Sequence, residues 1–117
     1  MNILLVDDES AVLSLETTMI KKLGYNAFPF SNAIEALEYF KNNSNIDLVI
    51  SDSTMRNMSG EQLAKEIKSI KDIPFIICSG YDKNEEELKK LNINFILKPF
   101  SFYKFSMLIK KVLEIAN

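Results

Sequence analysis

Four short polar stretches, each ending a hydrophobic run, hold the residue types in this chain that can do chemistry. Asp7-Asp8 follows Asn2 to Val6, and Asp52 closes the run that begins Leu48-Val49-Ile50. Ser79 follows Phe75-Ile76-Ile77-Cys78, and Lys98-Pro99 follows Phe95-Ile96-Leu97. Apolar runs of this length, bounded by turn signals, read as strands buried on both faces, as in a parallel sheet. Open α/β sheets bind ligands outside the carboxyl ends of their strands, and all four stretches would fall there. Asp8 and Asp52 are 44 positions apart, with a strand and two helices between them. If their strands are neighbours, Asp7, Asp8 and Asp52 share one crevice. Crowded carboxylates repel one another unless a cation binds, and Mg²⁺, which takes a few carboxylates and keeps several waters, is the natural one. The alternative is that Asp7-Asp8 caps the first helix, and the pair alone does not decide. A lysine at a buried strand end needs a negative partner. The crevice supplies one to Lys98, either as a plain salt bridge to Asp52 or as part of an anion site. Ser79 offers a hydroxyl to an anion in the same place; by itself it is a turn residue.

The intervening segments are the elements that position these residues. Val12, Leu15, Met19, Ile20 and Leu23 form a helical stripe stopped by Gly24. Asn26 to Phe30 is a weaker strand. Asn32-x-x-Glu35 starts a helix with Ala33, Ala36, Leu37 and Phe40 inward. After the Asn42-Asn43-Ser44-Asn45 loop comes the central strand, and Ser59-x-x-Gln62 is a capping-box pattern ahead of Leu63, Ala64, Ile67 and Ile70. Pro74 to Cys78 is a fourth strand, Lys83 to Leu91 a charge-heavy helix expected to be the most mobile element, and Phe95 to Leu97 a fifth strand. Phe105, Leu108, Ile109, Val112 and Ile115 mark a last amphipathic helix. Five strand–helix alternations with short links predict an α/β fold: a single, doubly wound, five-stranded parallel sheet with five helices on its two faces.

The 117 residues make one domain, 1–117, with no internal repeat or linker. With 14 basic and 16 acidic residues the net charge is −2, and one arginine gives no basic patch suited to nucleic acid. Cys78 is the only cysteine, so no internal disulfide forms and a cytoplasmic setting is expected; after Phe75-Ile76-Ile77 it reads as a small buried hydrophobe. No apolar run reaches the ~20 residues that cross a bilayer, and Met1 to Glu9 lacks the basic start of a signal peptide. There is no histidine, so any phosphohistidine must belong to another protein or domain.

Asp7-Asp8, Asp52 with Met55 and Gly60 after it, Ser79 and Lys98-Pro99 together resemble the response regulator receiver domain, in order and along the whole chain. The resemblance implies the flavodoxin-like strand order 2-1-3-4-5, which general sheet rules illustrate with this family's chemotaxis member. It implies a two-component phosphoacceptor, not an enzyme acting on other molecules beyond its own phosphorylation and dephosphorylation. Asp52 takes a phosphoryl group from the phosphohistidine of a histidine kinase or histidine phosphotransfer domain. Asp7, Asp8, Asp52 and the backbone carbonyl of Thr54 bind Mg²⁺. Lys98 pairs with the phosphoryl oxygens, Ser79 moves to hydrogen-bond them, and Phe95 is the aromatic switch that follows Ser79. The output surface is the face of the fourth helix, fifth strand and last helix, read by a downstream protein or a second copy. The Lys98-Pro99 bond is expected to be cis, and Thr54 and Tyr81 to flank the path of a hydrolytic water, with Tyr81 covering it. Departures from the pattern are Arg56 where proline is frequent, Ser59 where an acid is frequent, and Gly80 where alanine is common.

Two other readings compete. A haloacid dehalogenase-like phosphatase also uses a strand-end aspartate and Mg²⁺, but resembles D-x-D on the first strand, whereas Thr54 stands two places after Asp52 on the third. A binding-only receiver would not need the intact acid, acceptor, hydroxyl and lysine set. The Ser79-Gly80-Tyr81-Asp82 run resembles receivers at the end of hybrid sensor histidine kinases, so the parent of this module could be such a kinase.

Overall fold

The computed structural model describes residues 1–81 and 85–116. Strand and helix alternate throughout: β1 (Asn2–Val6), α1 (Ser10–Lys22), β2 (Asn26–Phe30), α2 (Ala33–Asn42), β3 (Leu48–Asp52), α3 (Gly60–Ile70), β4 (Phe75–Ser79), α4 (Glu85–Lys90), β5 (Ile93–Leu97) and α5 (Phe102–Ala116). All four pairings are parallel, and the order is β2-β1-β3-β4-β5. This is the predicted doubly wound, flavodoxin-like sheet.

Period-two alternation along buried strands feeds two cores, one per face. Leu4, Val6, Val49, Phe75 and Ile77 pack with Ala33, Ala36, Leu37 and Phe40 of α2, with Leu63, Ala64 and Ile67 of α3 and with Leu88 of α4. Ile3, Leu5, Leu48, Ile50, Ile76 and Cys78 pack with Ile20 of α1 and with Phe105, Ile109, Val112 and Leu113 of α5. The central strands β1, β3 and β4 are therefore hydrophobic on both sides. Pro29 sits on β2, an edge strand, where a missing N–H costs least.

The helix starts are chemical. The Asn32 carbonyl oxygen Oδ1 accepts from the N–H groups of Ile34 and Glu35 at 2.8 and 3.1 Å. Ser59 and Gln62 form the reciprocal capping box at 3.1 and 2.9 Å. Gly24 ends α1 with φ +86°, a conformation that favours glycine.

Some elements differ from the sequence reading. Leu15 is 56% exposed, and it is Glu16 that turns inward beside Ile20. Ile70, in the last turn of α3, and Ile115 are also exposed. A 15-residue helix spans about 22 Å, whereas its five-residue strands span about 17 Å, so the end of α5 overhangs the sheet. β4 starts at Phe75 because Pro74 has no N–H to give the ladder, although its carbonyl accepts from Val49 at 3.2 Å. β5 starts two residues early, at Ile93: pairing of Asn94 with Ile76 carries the strand through a polar residue. Of the expected helix 83–91, residues 83 and 84 lie outside the described residues, as does Asp82; Glu85–Lys90 forms the six-residue α4, and Leu91 falls in the turn after it.

Gly60 has a steric reason to be glycine. A Cβ there would collide with the Asp52 carbonyl oxygen and lie 3.1 Å from the Ser53 Cα. Both obstacles are backbone, so relief must move the turn carrying Asp52. Gly60→Ala is expected to destabilise the fold by about 1–3 kcal/mol, as overpacking does. Urea unfolding measures this, and an unchanged midpoint would show that the turn is softer than its packing implies.

Candidate functional site

The site lies where β1, β3, β4 and β5 end on one edge of the sheet. Asp7 is the first residue after β1. Its N–H donates to the Phe30 carbonyl at 3.1 Å, which anchors it to β2. One side-chain oxygen, Oδ1, accepts from the Glu9 N–H at 2.9 Å, and the other, Oδ2, accepts from Lys98 Nζ at 3.2 Å. Asp7 thus shapes the chain's entry into α1, whose N-cap is Glu9 without a side-chain cap hydrogen bond, and faces the crevice.

Asp52 ends β3, the neighbour of β1, and its Oδ1 accepts from Lys98 Nζ at 2.9 Å. Asp8 turns its Oδ2 toward the β3–α3 loop, accepting from the Arg56 N–H at 3.2 Å. The Arg56 guanidinium is 3.8 Å away and almost fully exposed, so that ion pair adds little. Asp7, Asp8 and Asp52 each present an oxygen to one spot, all within 4.8 Å of one another. Three carboxylates so arranged suit Mg²⁺, a small cation with oxygen ligands that retains waters.

Lys98 enters from β5. Its backbone N–H donates to the Ser79 carbonyl at 2.7 Å, which ties the end of β5 to that of β4, and the Lys98-Pro99 bond is cis. Burial alone would weaken the Lys98 ammonium, but the hydrogen bond it donates to Asp52 and the charges of Asp7 and Asp52 outweigh it and hold its pKa above the usual lysine value. For Asp7 burial dominates and raises the pKa, opposed by the Glu9 N–H and Lys98.

Ser79 is buried at the end of β4, with its hydroxyl accepting from the Tyr81 N–H at 3.1 Å. Thr54 is exposed in the turn after β3. Phe95 is half-buried on β5 and packs against the α2–α3–α4 core. Tyr81 is 78% exposed, so its ring stands in solvent instead of packing over the crevice. A Cβ on Gly80 would meet nothing within 4 Å, so the glycine is not required there by contact.

One residue escaped the sequence reading. Glu16 of α1 is 3% exposed, and its Oε2 accepts no hydrogen bond from the described residues. Burial, then the negative charge of Asp7, push its pKa up to about 8, with Lys98 opposing. Its signal was positional: Val12, Glu16 and Ile20 stand four apart, on one face of a helix.

A family model for the response regulator receiver domain matches residues 3–110. The chain belongs to that family. As a receiver it is a phosphoacceptor signalling domain of two-component systems, and the phosphatase and binding-only readings are not favoured. It is 34% identical over 117 residues to the sensor kinase CckA of Brucella abortus, covering 96% of this chain and 12% of that protein. It is 30% identical over 116 residues to a probable transcriptional regulator, ycf27, of Cyanidium caldarium, covering 97% of this chain and 46% of that one. The receiver thus spans less than half the length of these relatives. Among solved structures, a receiver domain from Clostridium thermocellum superposes with a TM-score of 0.90 at 29% identity, covering 97% and 94% of the two chains. The receiver domain of the hybrid histidine kinase CckA gives 0.83 at 29%, covering 97% and 99%. The response regulator TrrA of Thermotoga maritima, in complex with Mg²⁺-BeF, gives 0.85 at 32%, covering 95% and 97%. No helix among the described residues is long and apolar enough to cross a membrane.

Proposed function

We propose that Asp52 is the phosphoacceptor of a receiver module spanning residues 1–117, and that the donor is a phosphohistidine on a histidine kinase or histidine phosphotransfer domain. The observation that carries this reading is the Lys98 ammonium, held between Asp7 and Asp52 beside a third carboxylate at the ends of adjacent strands. An Asp52 oxygen attacks phosphorus as the phosphorus–nitrogen bond breaks, and the electron pair of that bond leaves on the donor imidazole. Asp7, Asp8, Asp52 and the Thr54 carbonyl would hold Mg²⁺, which supplies charge neutralisation to the phosphoryl oxygens when bound. Lys98 is placed to follow the transferred group, since its Nζ already touches the accepting carboxylate. The chain catalyses only its own phosphorylation and dephosphorylation. A cytoplasmic setting agrees with a free, buried Cys78.

With acetyl phosphate, the protein is expected to gain one acid-labile phosphoryl group in the presence of Mg²⁺ and none in excess chelator. Asp8→Asn is expected to weaken Mg²⁺ binding about tenfold or more by calorimetry, because it removes one of three anionic ligands. Mg²⁺-independent labelling would refute the assignment of the carboxylate cluster.

The readout follows from Ser79 and Phe95. Drawn to a phosphoryl oxygen, the Ser79 hydroxyl releases the Tyr81 N–H and vacates space into which Phe95 can turn. The α4–β5–α5 face, read by a downstream protein or a second copy, then shifts in population. Beryllofluoride, a phosphoryl mimic, is expected to change hydrogen exchange several-fold in α4, β5 and the start of α5. Equal protection in both states would count against this switch.

A further inference from the structure

Ser53, the residue after Asp52, has all of its polar groups engaged. Its N–H donates to the Cys78 carbonyl of β4 at 2.9 Å, and its carbonyl accepts from the N–H of Gly60, the first residue of α3, at 2.9 Å. Its hydroxyl donates to Glu61 Oε1 at 3.1 Å, with Oε2 at 3.5 Å. Ser53 is 3% exposed, so this is a buried hydroxyl on a charged acceptor, the stronger kind of hydrogen bond. Alternation along β3 turns Ser53 to the side of Val49, which packs against α2 and α3, while Asp52 faces the crevice. Ser51, on the same side as Ser53, donates its hydroxyl within the strand, to the Asp52 carbonyl at 2.9 Å. Ser53 instead reaches across to the helix.

That bond bears on the metal through Thr54. Thr54 is exposed, so packing does not hold its side chain. The carbonyl assigned above to Mg²⁺ therefore takes its position from the residues on either side. Met55, after it, packs against the α2–α3 core. Ser53, before it, is tied to β4 and twice to the first turn of α3. The approach of α3 is already close, because a Cβ on Gly60 would meet the Asp52 carbonyl. Without the hydroxyl bond, the Gly60 N–H alone would hold α3 to this turn. The residues flanking the loosened one are Asp52 and Thr54.

We propose that Ser53 and Glu61 are positioning residues for the metal: their hydrogen bond fixes the turn that presents the Asp52 carboxylate and the Thr54 carbonyl to Mg²⁺. They act through those two groups, and the proposal rests on the carboxylate cluster being the Mg²⁺ site. What the Ser53 hydroxyl needs at residue 61 is an acceptor, not a charge. An amide oxygen supplies one and a hydrocarbon does not.

The test is calorimetric titration of Mg²⁺ into the folded chain and its variants, with urea unfolding alongside. Ser53→Ala and Glu61→Leu are each expected to weaken Mg²⁺ binding about tenfold, the lower end of what hydrogen-bonding partners behind metal ligands contribute. The double variant is expected to bind within about twofold of either single one, because both remove the same bond. Glu61→Gln is expected to bind within about twofold of the wild type, since its amide oxygen still accepts. A lower urea midpoint with unchanged Mg²⁺ affinity would reduce the pair to a structural role and overturn the proposal. Equal weakening by Glu61→Gln and Glu61→Leu would also overturn it, by showing that the metal responds to charge at a distance. Asp8→Asn separates this proposal from the reading beneath it. If Asp8→Asn weakens binding and Ser53→Ala does not, the cluster stands and the positioning role falls; if the wild type binds no Mg²⁺, both fall.

Discussion

Asp52→Asn is expected to abolish the acid-labile adduct that the wild type acquires from acetyl phosphate and Mg²⁺. An amide has the shape of the carboxylate but no anionic oxygen to attack phosphorus, and it withdraws one of the charges that would hold the metal. The fold is not expected to suffer, because Lys98 keeps its second partner, Asp7, at 3.2 Å. The loss is therefore chemical. Asp7→Asn makes the control: it also removes a cluster charge and a Lys98 partner, but it keeps the acceptor, so labelling slows and still occurs. Mass spectrometry of intact protein before and after mild acid reads both variants. An undiminished adduct on Asp52→Asn would move the acceptor elsewhere, and so would labelling of that variant equal to the slowed labelling of Asp7→Asn.

Stability is expected to decline as pH rises from about 5 to 8, and Glu16→Leu to remove most of that decline. Glu16 titrates near its ordinary value of 4.5 when unfolded and near 8 when folded. Between those values the folded state holds a proton that the unfolded state has lost, so rising pH favours unfolding, and the cost is complete above pH 8. Each unit of difference is worth about 1.4 kcal/mol, which makes the total on the order of a few kcal/mol. The neighbouring groups do not cancel it. Asp7 is also raised and costs stability in the same direction, beginning above its ordinary 3.8. Lys98 is raised too, but as a base it contributes stability that is present below its ordinary 10.5 and lost only above it. Cys78, raised by burial, matters only in alkali. Urea unfolding in chelator across this range gives the profile. Parallel profiles for wild type and Glu16→Leu would show that Glu16 is solvated in the folded state.

The sequence by itself determined the sheet, the starts of α2 and α3, and the gathering of its chemically able residues at one sheet edge. Runs such as Leu48-Val49-Ile50 are apolar at every position, and only a strand covered on both faces satisfies that. Asn32 and Ser59 start α2 and α3 through hydrogen bonds two and three residues long, so local sequence suffices. Asp7, Asp8, Asp52, Ser79 and Lys98 each end a run, and a parallel sheet sends every run's end to the same edge. What tertiary structure decided was phase and partnership. Helical spacing gives a period but not which neighbour of a stripe faces the sheet. The seat of α1 against β1 and β2 turned Glu16 inward and Leu15 outward. Propensity could not foretell that, because burying an unpartnered carboxyl is unfavourable locally and is tolerated only within a fold held by everything else. The choice of Lys98 was likewise tertiary. Its reach to both Asp7 and Asp52 depends on β1, β3 and β5 ending at one level, through residues 91 and 46 positions away.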